Sequence, residues 1–180
     1  MSSHGKQLLS TAELERAACE VYCAAQREGI VIALLGGYAL QMHGSPRLTG
    51  DVDFAAERPL ETMPVVGHLS FGGVKTVTSE NVPVDLIVRD DDYKALYEEA
   101  LEDASAHARG RMPVVRPEYL AAMKMASGRP GDMADLEFLI KENIVDVDAM
   151  RSIIRRHLGP YAAHELDQIE LIARWRKSRE

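Results

Sequence analysis

Asp51 and Asp53 stand two residues apart in the run Thr49-Gly50-Asp51-Val52-Asp53-Phe54, whose alternation predicts a strand over 49–55. On a strand, positions i and i+2 leave the same face, so the two carboxylates point together. Adjacent anions on a half-buried strand repel unless a cation lies between them, and all-oxygen ligands favour Mg2+ or Mn2+. A pair of solvated strand-end aspartates fits the same spacing. Asp85 alters that balance, because in Val82-Pro83-Val84-Asp85-Leu86-Ile87-Val88 it stands alone in an apolar strand, where an unpaired charge is costly. If the two strands are neighbours, three carboxylates converge, enough to hold two ions roughly 4 Å apart for in-line phosphoryl displacement. Upstream, Gly36-Gly37 opens a short helix. Bare backbone N–H groups there can meet a phosphate, although the G-x-x-x-x-G-K-[ST] phosphate loop is missing.

The elements that must hold these residues are readable in outline. Ser10-Thr11-Ala12-Glu13 has the form of a capping box, and Leu14, Ala17, Ala18, Val21 and Ala25 follow at helical spacing up to Gly29. The apolar run 30–35 predicts a strand buried on both faces, and the short helix after it ends before Gly44-Ser45-Pro46. Residues 65–73 read as a loop or one helical turn. Strands at 74–78 and 84–88 join through Ser79-Glu80-Asn81, with Pro83 limiting the second to a late start or an exposed edge. A helix follows over 91–106. Beyond the Gly110 to Pro117 stretch the pattern is helical throughout: 117–127, 132–142, 147–157 and 161–177. The fold class expected is α+β: a small mixed-sheet core with flanking helices over residues 1–112, then an all-helical C-terminal cap over 113–180.

Composition bounds the function classes. Of 180 residues, 46% are apolar and 27% charged, which is ordinary for a globular protein, and no run approaches the ~18 apolar residues of a membrane span. The first residues, MSSHGKQLLSTAE, lack the layout of a secretory leader, so a cytoplasmic location is expected. The net charge of −7 argues against a dedicated duplex-binding protein, although residues 151–180 carry seven Lys/Arg against four acids. Cys19 and Cys23 are the two cysteines; with no second pair to complete a metal site, they read as small buried residues.

The ordered set Gly36-Gly37, Asp51-Val52-Asp53 and Asp85 resembles the signature of the DNA polymerase β-like nucleotidyltransferases. The run GGYALQMHGSPRLTGDVDF resembles their minimal bacterial branch, which includes toxin-type enzymes of toxin–antitoxin systems. The likeness covers about residues 31–88. Gly50 replaces the hydrophobic residue before the first Asp, and Tyr38 stands where many members carry a Ser that touches phosphate. The resemblance implies transfer of a nucleoside monophosphate from an NTP to a hydroxyl on tRNA, protein or a small molecule. It makes Asp51, Asp53 and Asp85 the Mg2+ or Mn2+ ligands, with Asp85 also the acceptor of the hydroxyl's proton. Gly36, Gly37 and Arg47 would hold phosphates. Lys124 would reach the triphosphate, with Asp135 orienting basic neighbours, or else form an ordinary interhelical ion pair. A cognate toxin or antitoxin is an implied partner, and a catalytically silent binding module is the alternative. Other Asp-x-Asp chemistries fit less well: a dehalogenase-type phosphatase wants Thr or Ser at position 55, which is Ala.

Overall fold

The computed structural model describes residues 8–179, so part of the N-terminal stretch read for a leader, and Glu180 of the basic tail, lie outside the described residues. Helix α1 (Thr11–Glu28) starts where Ser10 accepts from the Glu13 N–H and the Glu13 carboxylate accepts from the Ser10 N–H at 2.7 Å. Gly29 ends it in the left-handed region at φ 65°. Its buried stripe is Leu14, Ala17, Ala18, Val21, Ala24 and Ala25. Cys19 and Cys23 fall about half a turn away and are exposed, which corrects the expectation that they are buried.

Strand β1 (Ile32–Leu35) runs directly into helix α2 (Gly36–Met42). After it come β2 (Val52–Ala56), β3 (Gly67–His68), β4 (Gly73–Val77) and β5 (Pro83–Ile87), then helix α3 (Lys94–His107). The five strands form one mixed sheet in the order β1-β2-β5-β4-β3, with β2 and β5 parallel and the other pairs antiparallel. β3 is a strand where the sequence reads as loop or helical turn; it is two residues long, too short to show a period. β5 is a central strand rather than an edge. Pro83 is tolerated because it occupies the first position, and pairing with β2 begins one residue later at Val84. The interior positions Val52, Phe54, Val84 and Leu86 are fully buried, and α1 and α3 both contact β1 and β2. At the other edge of β1, Leu34 donates to the Pro113 carbonyl and accepts from the Val115 N–H, so 113–115 continues the sheet's hydrogen bonding.

The chain divides into two compact units. One gathers the chain up to Met42 with Pro46–Val115; the other gathers His43–Ser45 with the chain from Arg116 onward. The second unit holds helices α4 (Pro117–Ser127), α5 (Pro130–Lys141), α6 (Val147–Leu158) and α7 (Pro160–Lys177). Proline opens α4, α5 and α7 at the position where a missing N–H costs nothing. Asp146 caps α6, accepting from the Asp148 and Ala149 N–H groups. Leu120, Leu136, Leu139, Met150, Ile154 and Leu166 form its core; of the three methionines that read as core filler, Met123 and Met125 are buried and Met133 is half-buried. The architecture is α+β with an all-helical C-terminal part. Among the described residues no helix is long and apolar enough to cross a membrane.

Candidate active site

The parallel ladder between β2 and β5 places Asp53 and Asp85 as direct register partners. Neighbouring strands lie about 4.8 Å apart and register partners share a face, so the two carboxylates are side by side. Leu35 of β1 is the partner of Asp53 on its other side, and Lys75 of β4 is the partner of Asp85. This sheet face therefore runs Leu35, Asp53, Asp85, Lys75, with the Lys75 Nζ 3.9 Å from the Asp85 carboxylate. Asp51 lies in the bend one residue ahead of β2 rather than on the strand itself. Its Oδ1 accepts a 2.7 Å hydrogen bond from the Thr49 hydroxyl.

The glycine pair belongs to the same cluster. Because β1 flows straight into α2, Gly36 follows the register partner of Asp53 and sits against it: a Cβ built on Gly36 would lie 1.9 Å from the Asp53 Oδ2. Gly36 also holds φ 70°, a region that side-chain-bearing residues rarely adopt. Gly37 is required for a different reason, since a Cβ there would come within 2.8 Å of the Thr49 side chain. One glycine makes room for Asp53, and the other makes room for the threonine that holds Asp51. Tyr38, the next residue, is buried, and that burial pushes its phenol pKa upward, helped by Glu15. It packs against the interior, leaving backbone groups at this turn.

Three acids on or beside one sheet face, all oxygen donors of which Asp51, Asp53 and Asp85 are half-buried, have the chemistry that suits Mg2+ or Mn2+. As the side chains stand, no three His, Cys, Asp or Glu among the described residues are gathered closely enough to hold such an ion. Two residues further along the same face, Ala55 and Ile87 line a cavity of about 650 Å3 with Tyr97 and Leu101 of α3.

Arg47 is exposed in the loop before Thr49, and its carbonyl accepts from Gln41 of α2 at 2.8 Å. Lys124 lies in the second unit. Its ammonium is 2.6 Å from Asp132 and 3.0 Å from Asp135, all three side chains being nearly excluded from solvent. Burial alone would raise the Asp132 pKa, but hydrogen bonds from Lys124, Ser127 and Arg129 outweigh it and hold the carboxyl at about 2. Three of the C-terminal arginines are ion-paired too, at more exposed positions. Arg151 meets Asp148, Asp167 and Glu170; Arg174 meets Glu170; and Arg176 meets Glu137.

Thr49 and Lys75 were not selected by the sequence reading. Thr49 had a signal available, being i−2 from Asp51; Lys75 had none, since only the β4–β5 register brings it to Asp85.

No family model matches the chain, and no curated protein matches it. Among solved structures it is similar to an antigenic nucleotidyltransferase-like protein from Paracoccidioides brasiliensis. The identity is 19%, the match covers 83% of this chain and 89% of that one, and the TM-score is 0.46.

Proposed function

We infer that the chain is a nucleotidyltransferase, moving a nucleoside monophosphate from an NTP onto a hydroxyl acceptor. One observation carries this reading: the parallel register that sets Asp85 beside Asp53, with Gly36 bare against the same carboxylate. Asp51, Asp53 and Asp85 would hold Mg2+ or Mn2+, which when bound would supply Lewis acidity toward the hydroxyl and offset charge on the departing pyrophosphate. Asp85 accepts the hydroxyl proton as the oxygen bonds the α-phosphorus and the bond to the β-phosphate breaks. The side-chain space at Gly36 and Gly37 is taken by Asp53 and Thr49, so phosphate oxygens would meet this turn through its backbone N–H groups alone, with exposed Arg47 as an added cation. Lys124 would join them only by leaving two buried carboxylates, so its part in the reading is the fold of the second unit.

The acceptor hydroxyl belongs to tRNA, a protein or a small molecule. A role in a toxin–antitoxin pair belongs to the same proposal. Incubation with labelled NTPs, Mg2+, cellular RNA and cellular protein tests it. Transfer of label that disappears in Asp51→Asn supports the reading, and no transfer to any acceptor overturns it.

A second reading, a binding module on this scaffold without turnover, is favoured by the loose spacing of the acids. Calorimetric titration separates the two. Binding of Mn2+ in the presence of NTP supports the enzyme, and a folded protein that takes up no ion supports the module.

A further inference from the structure

By its own strand Lys75 is an ordinary outward lysine: β4 alternates, with Val74 and Thr76 buried and Lys75 exposed between them. The register is what sets it apart. β4 places it beside Asp85, β5 places Asp85 beside Asp53, and Gly67 of β3 stands on its far side. One row across the sheet therefore reads Asp53, Asp85, Lys75, Gly67. Two carboxylates about 4.8 Å apart repel each other, and the ammonium 3.9 Å from Asp85 offsets that repulsion. The methylene stem of Lys75 lies along the bare backbone of Gly67, where even an added Cβ would stand 3.6 Å from its Cδ. Gly67 places no side chain in its way.

Lys75 is 53% exposed and Asp85 23%, so water screens their contact and the pair contributes little to the fold. Arg89 of the same unit is the opposite case. It lies 2.8 Å from Asp91, is 11% exposed, and has the rings of Phe71, Tyr93 and Tyr97 at 4.6, 5.2 and 5.0 Å. Moving Arg89 breaks all of these contacts, whereas moving Lys75 breaks the long one to Asp85. The acids as they stand are not gathered closely enough for an ion, and the lysine draws on Asp85 from the side away from Asp53. We propose that Lys75 is the resting counter-ion of Asp85 and a phosphate ligand of the loaded site. When Asp85 turns to a metal–nucleotide, the ammonium passes to a phosphate oxygen, keeping its proton. This rests on the nucleotidyl-transfer reading and deepens it. Such a cation has work to do there, because the turn at Gly36-Gly37 offers phosphate only backbone N–H groups, and Lys124 is locked between Asp132 and Asp135. A compact ammonium on a flexible stem, with three rotatable donors, can exchange a carboxylate for a phosphate without a fixed geometry.

Calorimetric titration of the full chain tests this, first with Mn2+ alone and then with the α,β-methylene analogues of ATP, GTP, CTP and UTP at saturating Mn2+. Neither titration needs turnover, and thermal melts show that each variant folds. Lys75→Met removes the competing cation, so Mn2+ alone binds about threefold more tightly. It also removes the phosphate contact, so the analogue binds about tenfold more weakly. Lys75→Arg keeps a cation and returns both constants toward the parent. Lys94→Met, which deletes an equal charge paired with Glu98 on α3, moves neither. Opposite movement of the two constants is the signature, because lost packing would weaken both or neither. If Lys75→Met leaves both unchanged, or shifts them in one direction, the proposal is overturned while the function reading stands. Equal shifts in Lys94→Met reduce the effect to net charge and overturn it as well. A folded parent that binds neither Mn2+ nor any analogue overturns this inference and the function reading together.

Discussion

Lys124 sits between Asp132 and Asp135 at 2.6 and 3.0 Å in a nearly dry site, whereas Lys75 approaches Asp85 at 3.9 Å from a half-exposed position. Both places bring acids and a lysine together, one in each unit. In the helical unit the chain carries its counter-ion into the interior, and Arg129 adds a second contact to Asp132 at 2.7 Å. Drawing Lys124 away would strand buried carboxylates, so these charges serve the fold. On the sheet face Asp51, Asp53 and Asp85 are half-buried, and water screens the Lys75 contact. Charges held loosely at the edge of solvent can be redirected onto a ligand at small cost. The contrast teaches how to recognise an ion cluster that serves the fold: by the distance and burial of the counter-charge rather than by residue type.

Four experiments break or sharpen that contrast. The largest effect is expected from Asp53→Asn, which lowers nucleotidyl transfer about a thousandfold, equivalent to about 4 kcal/mol of barrier, while leaving the melting temperature unchanged or slightly raised. Single-turnover kinetics alongside a thermal melt reads both numbers, and a large loss of stability would erase the distinction between the sites. Lys124→Met acts in reverse: it costs about 3 kcal/mol of stability by leaving Asp132 and Asp135 without their buried cation, seen as a lower urea midpoint at constant slope. Retained activity in whatever fraction stays folded is the accompanying expectation.

The third experiment uses pH. The Asp132 carboxyl is held at about 2 against an ordinary 3.8, so its pKa is lowered on folding. Its contribution is therefore complete above about pH 4 and lost as pH falls from about 4 to 2, amounting to about 2 kcal/mol. Denaturant titrations across that window should show a steeper slope in the parent than in Asp132→Asn. The smallest effect is expected from Thr49→Val, which removes the hydroxyl that donates to Asp51. A loss of roughly tenfold in transfer, with Thr49→Ser near the parent, would separate positioning from packing. Equal losses in both variants would make Thr49 a packing residue.

The sheet face was legible in part. Asp51, Asp53 and Asp85 stand out because carboxylates in apolar strands need an explanation, and Gly36-Gly37 because glycine at the start of a helix does. What escaped was pairwise. Thr49 reaches Asp51 through a turn, Lys75 reaches Asp85 across a strand, and the requirement for Gly37 exists only because Thr49 stands over it. By composition the basic tail, seven Lys/Arg against four acids over 151–180, says nothing of which acids its cations meet. Arg174 meets Glu170 at i,i+4 within α7, but Arg151 of α6 reaches Glu170 of α7 and Arg176 of α7 reaches Glu137 of α5, and no local pattern records those two.

The chain's own pattern determined the elements. Ser10 with Glu13 starts α1 and Gly29 ends it, prolines open three of the C-terminal helices, and alternation marks β2, β4 and β5. These are short-range matters of capping, backbone freedom and side-chain period, so they are written in neighbouring residues. Only the tertiary structure decided that β5 lies in the middle of the sheet, parallel to β2, with β4 turned back beside it. Strand order depends on which apolar faces bury one another across the chain between β2 and β5, and that competition leaves no local trace. It is the competition that brought Asp85 to Asp53.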